Sequence, residues 1–231
     1  MVESTYFSDC YRTFINYAQH QAPHFTVDAT NQPVIAALLA YFVRDKAMCQ
    51  TLGLKPQRGL FLMGPVGCGK TTLMQLFAHW LSNHLLSEEQ YPGSSQRGAK
   101  VSRFRIVAAR EVVRQFLQEG YPVLERYGVR SYRSKHHGYG PVLQYDQPLT
   151  YCFDDTGIEP DAKHYGNNCN VMAEILLDRY DQFIRHGMIS HLITNLNAEA
   201  LEDIYGDRVR SRLREMCNLI CFPPEAPDRR R

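Results

Sequence analysis

The run Gly64-Pro65-Val66-Gly67-Cys68-Gly69-Lys70-Thr71 completes the pattern G-x-x-x-x-G-K-[ST], and it constrains the fold more than any other stretch. Before it, Gly59-Leu60-Phe61-Leu62-Met63 is a short apolar run of the kind that forms a buried strand. After it, Thr72-Leu73-Met74-Gln75-Leu76-Phe77-Ala78 has helical composition and no breaker. Strand, glycine loop and helix together are the context in which this pattern binds phosphate. Gly64, Gly67 and Gly69 open backbone conformations closed to residues with a Cβ, so successive N–H groups can turn inward on phosphate oxygens. The helix N-terminus adds partial positive charge. In this arrangement Lys70 reaches the β- and γ-phosphates and the Thr71 hydroxyl completes a Mg²⁺ shell, with Thr72 following in the same turn. The bland alternative is a glycine-rich turn before an ordinary helix; the complete pattern in its full context favours the phosphate site.

At 231 residues the chain has room for one sizeable α/β domain with a short appendage. No apolar run approaches the roughly 18 residues that span a bilayer, so no membrane partner is expected. Met1 to Thr5 lacks a basic region leading into an apolar stretch, so no secretion signal is expected either. Seven cysteines at irregular spacings form no zinc pattern; Cys217 and Cys221 lack a second pair. Reduced thiols in a cytoplasmic protein are the expectation. The formal charge of +2 says little about partners until its distribution is considered.

Along the chain, Tyr6 to Gln19 and Val34 to Phe42 read as helices, the second started by Asn31 and Pro33. Ser87 to Lys100 is rich in glycine, proline and serine and reads as a loop. Val101 to Val107 alternates in the manner of a strand near a sheet edge, and Ala108 to Glu119 reads as a helix. Gly120 to Pro148 shows no sustained periodicity. Thr150 to Phe153, Ser190 to Thr194 and Leu219 to Phe222 read as strands; Val171 to Ile184, Asn197 to Ile204 and Arg208 to Met216 read as helices. Strands alternating with helices predict an α/β fold: a three-layer P-loop core around a five-stranded, mostly parallel sheet. Residues 1–54 read as a short helical extension and 55–231 as the core, with a basic insert at about 120–148.

Three further markers accompany the loop. Tyr151-Cys152-Phe153-Asp154-Asp155 is an apolar strand ending in two carboxylates, at the strand end where open α/β sheets bind ligands. Asp154 is the candidate Mg²⁺ ligand and Asp155 the group that polarises an attacking water, with Glu159 as a rival; an acidic turn is the plain alternative. Asn195, ending the strand Ser190 to Thr194, is a candidate to orient water and touch a γ-phosphate, or else a helix cap. In Gly206-Asp207-Arg208-Val209-Arg210-Ser211-Arg212-Leu213-Arg214, Arg208 and Arg212 share one helix face. They are candidates for an arginine finger acting on a neighbouring subunit; a solvated basic helix is the alternative.

Taken together the four markers resemble the AAA+ ATPases, in the order Walker A, Walker B, sensor 1 and arginine-finger helix. Within that superfamily the chain resembles the DnaC/IstB-like group of helicase loaders and transposition ATPases, over roughly residues 55–222. The stretches that carry the likeness are Asp154-Asp155-Thr156-Gly157, Thr194-Asn195 and Gly206 to Leu213. The resemblance implies an ATP- and Mg²⁺-dependent oligomer, assembled through the finger interface and acting on single-stranded DNA or a DNA-bound partner. Asp155 stands where many members carry Glu, which implies slow, partner-stimulated hydrolysis. The sequence stops soon after the fifth strand, which implies a core without the helical lid, as in the loaders.

Basic and aromatic residues interleave from Arg97 to Tyr145, among them Arg126, Arg130, Arg133 and Lys135. Cations tracking phosphates and rings stacking on bases are the ingredients of single-strand binding; arginines paired with local acids are the alternative. Arg229-Arg230-Arg231 reads as added nonspecific DNA affinity or a disordered tail. The resemblance implies a helicase loader, whose partner is a replicative helicase. The alternatives are a transposition ATPase recruiting a transposase, and a nucleotide-dependent scaffold with negligible hydrolysis.

Overall fold

A computed structural model of the chain describes residues 5–84, 103–134, 145–160, 162–164 and 167–230. The chain divides into two compact units, one drawn from Met1–Pro56, Met63–Arg103 and Ile220–Arg231, the other from Gln57–Leu62 and Phe104–Leu219.

In the first unit, helix α1 (Thr5–Gln21) buries Phe7, Cys10, Phe14 and Ala18, the three- and four-residue spacing of one helix face. Helix α2 (Gln32–Phe42) starts after Asn31 with Pro33 in its first turn and is buried on almost every side. Asn31 does not cap the helix with its side chain. It closes the preceding loop: Asp28 N–H donates to Asn31 Oδ1 at 2.9 Å, and Asn31 Nδ2 donates to Thr26 O at 2.8 Å. Helix α3 (Lys46–Thr51) is capped by Asp45, which accepts from Met48 N–H at 2.9 Å. Helix α4 (Lys70–His84) presents Phe77 and Trp80 to α1. Phe14 stacks on Phe77 with centroids 4.0 Å apart and meets Trp80 edge-on at 5.6 Å. The described residues 5–54 therefore share a core with the helix that follows the glycine loop.

The chain forms a five-stranded sheet, most of it in the second unit: β1 (Gly59–Met63), β2 (Phe104–Ala108), β5 (Thr150–Asp154), β8 (Ser190–Thr194) and β9 (Cys217–Cys221), in the order β2-β5-β8-β1-β9. Strand β2 runs parallel to β5 and β5 parallel to β8, with Tyr151, Cys152 and Phe153 in register with Ser190, His191 and Leu192. Every residue of β5 and β8 is buried, polar Ser190, His191 and Thr194 of β8 included, whereas the edge strand β2 is only partly covered. Strand β1 begins at Gly59 because nothing larger fits: a Cβ there would fall on the Ser190 carbonyl. His191 is fully buried, its Nδ1 accepts Leu60 N–H at 3.0 Å, and burial pushes its pKa down to about 3, so the ring is neutral.

Two short antiparallel ladders, β3 (Tyr132–Ser134) with β4 (Tyr145–Pro148) and β6 (Ala162–His164) with β7 (Asn167–Cys169), lie where the sequence shows no clear element. Helices α5 (Ala109–Glu119), α6 (Pro122–Tyr127), α7 (Val171–His186) and α8 (Ala198–Met216) complete the unit. Asn170 caps α7 by accepting from Ala173 N–H at 3.0 Å, and Gly187 ends it with φ 65°. Helix α8 is interrupted at Gly206 (φ 81°, ψ 163°), the break between the two helices expected from the sequence. The Ile204 carbonyl beside that break accepts from Asn170 Nδ2 at 2.9 Å.

Arg179 of α7 is 0% exposed. Its guanidinium donates to Ser190 Oγ at 2.5 Å, Tyr127 O at 2.8 Å, and Leu149 O and Ile189 O at 2.9 Å each. It lies 5.5 and 5.6 Å from the ring centroids of Tyr151 and Phe153. One cation thus fastens the end of α6 and the entries to β5 and β8 to α7.

Candidate functional site

In the first unit, the backbone of the glycine loop has φ 81° at Gly67 and 100° at Gly69, the left-handed region where a Cβ is strained. Gly64 is pressed from one side, since a Cβ there would lie 2.6 Å from Phe222 Cβ. The Leu73 N–H donates to Gly69 O at 2.9 Å, so α4 opens directly out of the loop. The N–H groups of a helix's first turn lie outside its own hydrogen-bond ladder, which is why a helix start suits an anion. Lys70 is 7% exposed, and its Nζ spans the loop, donating to Gly64 O at 2.7 Å and Pro65 O at 2.8 Å. Cys68 is buried with Sγ 3.8 Å from Lys70 Nζ; burial raises its thiol pKa and the lysine charge partly offsets this. Val66 stands exposed on the rim. Gly64 to Thr72 are thus held as one loop and helix start, with a buried ammonium at its centre.

In the second unit, the turn after β5 carries the carboxylates. Asp154 is buried and its Oδ1 accepts Asp155 N–H at 3.0 Å. Asp155 is half-buried and has φ 55°, one of two non-glycine residues with positive φ among those described. Such strain persists only where the surroundings impose it. They do so here through Thr156. Its N–H donates to Ile193 O at 2.9 Å, its hydroxyl to Phe153 O at 3.0 Å, and its carbonyl accepts from Thr194 Oγ1 at 2.7 Å. The ends of β5 and β8 are stitched together by these bonds, which brings Asp154, Asp155 and Asn195 to one end of the sheet.

Asn195 does not cap α8; Asn197 does, accepting from Ala200 N–H at 2.8 Å. Among the described residues the buried Asn195 Oδ1 has no hydrogen-bond partner. A buried acceptor left open is costly and is characteristic of an atom that meets a ligand or ordered water. Glu159 is already engaged: Oε2 accepts Gly157 N–H at 2.7 Å and Oε1 accepts the Tyr205 hydroxyl. Burial and this carboxylate push the Tyr205 pKa far up, so the phenol stays protonated. The pair ties the carboxylate turn to α8 just before its break, a brace that no sequence motif signals.

On α8, Arg208 is exposed and forms no ion pair among the described residues. Arg212 is half-buried, stacked 4.4 Å from the centroid of Tyr180 on α7, and donates to the Tyr180 hydroxyl at 3.3 Å. Arg210 pairs with Glu202. The two candidate finger residues therefore differ: one is free to reach outward and one is held.

Of the basic insert, Arg126 is paired with Glu119 and Arg130 with Glu125 at 2.9 Å, the local acid pairing that is the alternative to DNA contact. Arg133 lies on β3, while Lys135 and residues 136–144 lie outside the described residues.

A five-stranded sheet in the order β2-β5-β8-β1-β9, a glycine loop after β1 and paired carboxylates at the end of β5 make a P-loop-type α/β fold. Among solved structures the chain is similar to the DnaC helicase loader, at 12% identity and TM-score 0.52, over 92% of this chain and 99% of that one. It is likewise similar to DnaI, at 17% identity and TM-score 0.53, over 92% of this chain and 94% of that one. No protein-family model matches the chain, and no curated protein matches it significantly. The fold is the one the sequence motifs imply. Among the described residues no helix is long and apolar enough to cross a membrane.

Proposed function

We propose that this chain binds and slowly hydrolyses ATP as a helicase-loader-like AAA+ protein, oligomerising on single-stranded DNA or on a replicative helicase in DNA replication. The observation that carries the reading is the glycine loop with Lys70 buried at its centre, donating to Gly64 O and Pro65 O. Similarity to DnaC and DnaI over nearly the whole chain supports the loader assignment.

In this reading the loop N–H groups and Lys70 hold the β- and γ-phosphates. Thr71 offers a hydroxyl and Asp154 a carboxylate, each a hard oxygen donor of the type Mg²⁺ takes. When bound, the ion neutralises charge on the phosphate oxygens. Asp155 draws the proton from the attacking water, and the open Oδ1 of Asn195 orients that water by accepting its other hydrogen. Arg208, exposed and unpaired among the described residues, is the finger offered to a neighbouring subunit. Arg212, stacked on Tyr180, steadies the helix that carries it.

The test is steady-state phosphate release with and without single-stranded DNA. Arg208→Ala is expected to lower DNA-stimulated turnover at least about 10³-fold, and Arg212→Ala by less. Mixing Arg208→Ala with Lys70→Ala subunits should restore part of the activity, because the second supplies a finger to the intact loop of the first. Full turnover by Arg208→Ala alone, or no recovery on mixing, contradicts a finger acting between subunits. Nucleotide binding without any hydrolysis would favour the scaffold.

A further inference from the structure

The described segment after β9, which ends at Arg230 with Arg231 outside the described residues, is neither a free tail nor a patch of loose positive charge. Phe222 is buried, and its N–H donates to Met63 O at 2.8 Å. Pro223, Pro224 and Pro227 stiffen the chain beyond Phe222, Ala226 N–H closes a turn on Pro223 O at 3.0 Å, and Ala226 is itself buried. The chain is thereby laid along the glycine loop. Asp228, paired with Arg230 at 2.8 Å, sits where a Gly67 Cβ would be, so only glycine allows this approach. The Arg229 N–H donates to Gly67 O at 2.9 Å and its Nε to Cys68 O at 3.2 Å. The far end of the same guanidinium donates to Asp28 Oδ2 at 2.7 Å and Thr30 Oγ1 at 2.8 Å. Asp28 is fixed in turn, its Oδ1 accepting from Thr30 N–H at 2.8 Å and Thr30 Oγ1 at 2.6 Å.

Both loop atoms that Arg229 engages are carbonyl oxygens. In a trans peptide the C=O of one residue and the N–H of the next point to opposite sides. No cis peptide occurs among the described residues, so anchoring Gly67 O and Cys68 O directs the N–H groups of Cys68 and Gly69 away from the strap, and the Cys68 N–H donates to Pro65 O at 3.4 Å within the loop.

We propose that Arg229 is a positioning residue, bracing the phosphate loop from its carbonyl side so that its amides are aligned before phosphate arrives; this rests on the nucleotide reading of that loop. Bound phosphate would meet a loop already ordered, and the ordering cost would be met in folding rather than in binding.

The experiment compares the full chain with its Arg229→Ala, Arg229→Lys and Asp28→Asn variants by two readouts. The first is amide hydrogen exchange of residues 64–71 without nucleotide. Arg229→Ala is expected to speed it about tenfold, with Asp28→Asn moving the same way and Arg229→Lys partly restoring protection, as for loss of one or two charge-assisted hydrogen bonds. The second is the affinity for inorganic triphosphate, a probe without base or sugar, expected to weaken about tenfold in Arg229→Ala and to recover partly in Arg229→Lys. Unchanged exchange overturns the brace. Tighter triphosphate binding by Arg229→Ala also overturns it, since the strap would then be a plug. If the unaltered chain binds neither triphosphate nor ATP, the nucleotide reading fails, and exchange still decides whether Arg229 orders the loop.

Discussion

Arg179→Ala is expected to destabilise the protein by about 4 kcal/mol, the cost typical of removing one member of a buried charged network. The truncation strips the donor from Tyr127 O, Leu149 O, Ile189 O and Ser190 Oγ at once, and it opens space beside the Tyr151 and Phe153 rings. Each buried acceptor left open costs about 1–3 kcal/mol, and the cavity adds to that. Arg179→Met restores much of the packing but none of the hydrogen bonds, so it should recover only a minority of the loss. Urea unfolding followed by tryptophan fluorescence and circular dichroism reads both variants. A loss below about 1 kcal/mol in Arg179→Ala would mean that water or relaxation satisfies these carbonyls and that the guanidinium is not the fastener described.

Asp155→Asn is expected to lower ATP turnover about 10²- to 10³-fold while leaving nucleotide affinity close to that of the unaltered chain. The substitution is clean on structural grounds. Asp155 sits at φ 55°, which asparagine tolerates as well as aspartate, and its N–H bond to Asp154 Oδ1 does not depend on its own side chain. Phosphate release measured beside equilibrium nucleotide binding separates the two effects. Unchanged turnover would remove Asp155 from the proton-accepting role. Glu159 would be a poor replacement, because its carboxylate already accepts from Gly157 N–H and Tyr205.

Elements whose physics is local were legible in the sequence. Strands β1 and β5 could be read because a parallel strand buried on both faces centres on consecutive apolar residues, Leu60 to Met63 and Tyr151 to Phe153. The loop was legible because its conformation demands glycine at fixed places, and Gly67 and Gly69 do take positive φ. Asp154 and Asp155 were singled out because strand ends are where ligands meet an open sheet, and they do lie at the end of β5. Whether Asn195 caps a helix was undecidable from a single strand end; the neighbouring Asn197 performs that task.

Tertiary partners were not legible. Arg126 and Arg130 read as a basic patch because Glu119 and Glu125 could not be known to face them. Arg179 carried a signal that could have been used: it stands four residues after Ile175 and three after Leu176, on the buried face of α7, where a solvated arginine does not belong. Helix α6 was hidden in six residues, too short for a periodic pattern. The strap was hidden because its contacts join Arg229 to Asp28 and Cys68 across most of the chain, and no local pattern encodes such a pairing.

The central claim is that the glycine loop binds a nucleoside triphosphate through Lys70. Isothermal titration of a non-hydrolysable ATP analogue with Mg²⁺ into the unaltered chain and into Lys70→Ala tests it most directly. Saturable binding is expected for the unaltered chain. A loss of about 2–3 kcal/mol, roughly 30- to 150-fold in Kd, is expected for Lys70→Ala, the contribution of charge-assisted bonds to phosphate. Absence of binding by the unaltered chain, or equal affinity in Lys70→Ala, would contradict the account.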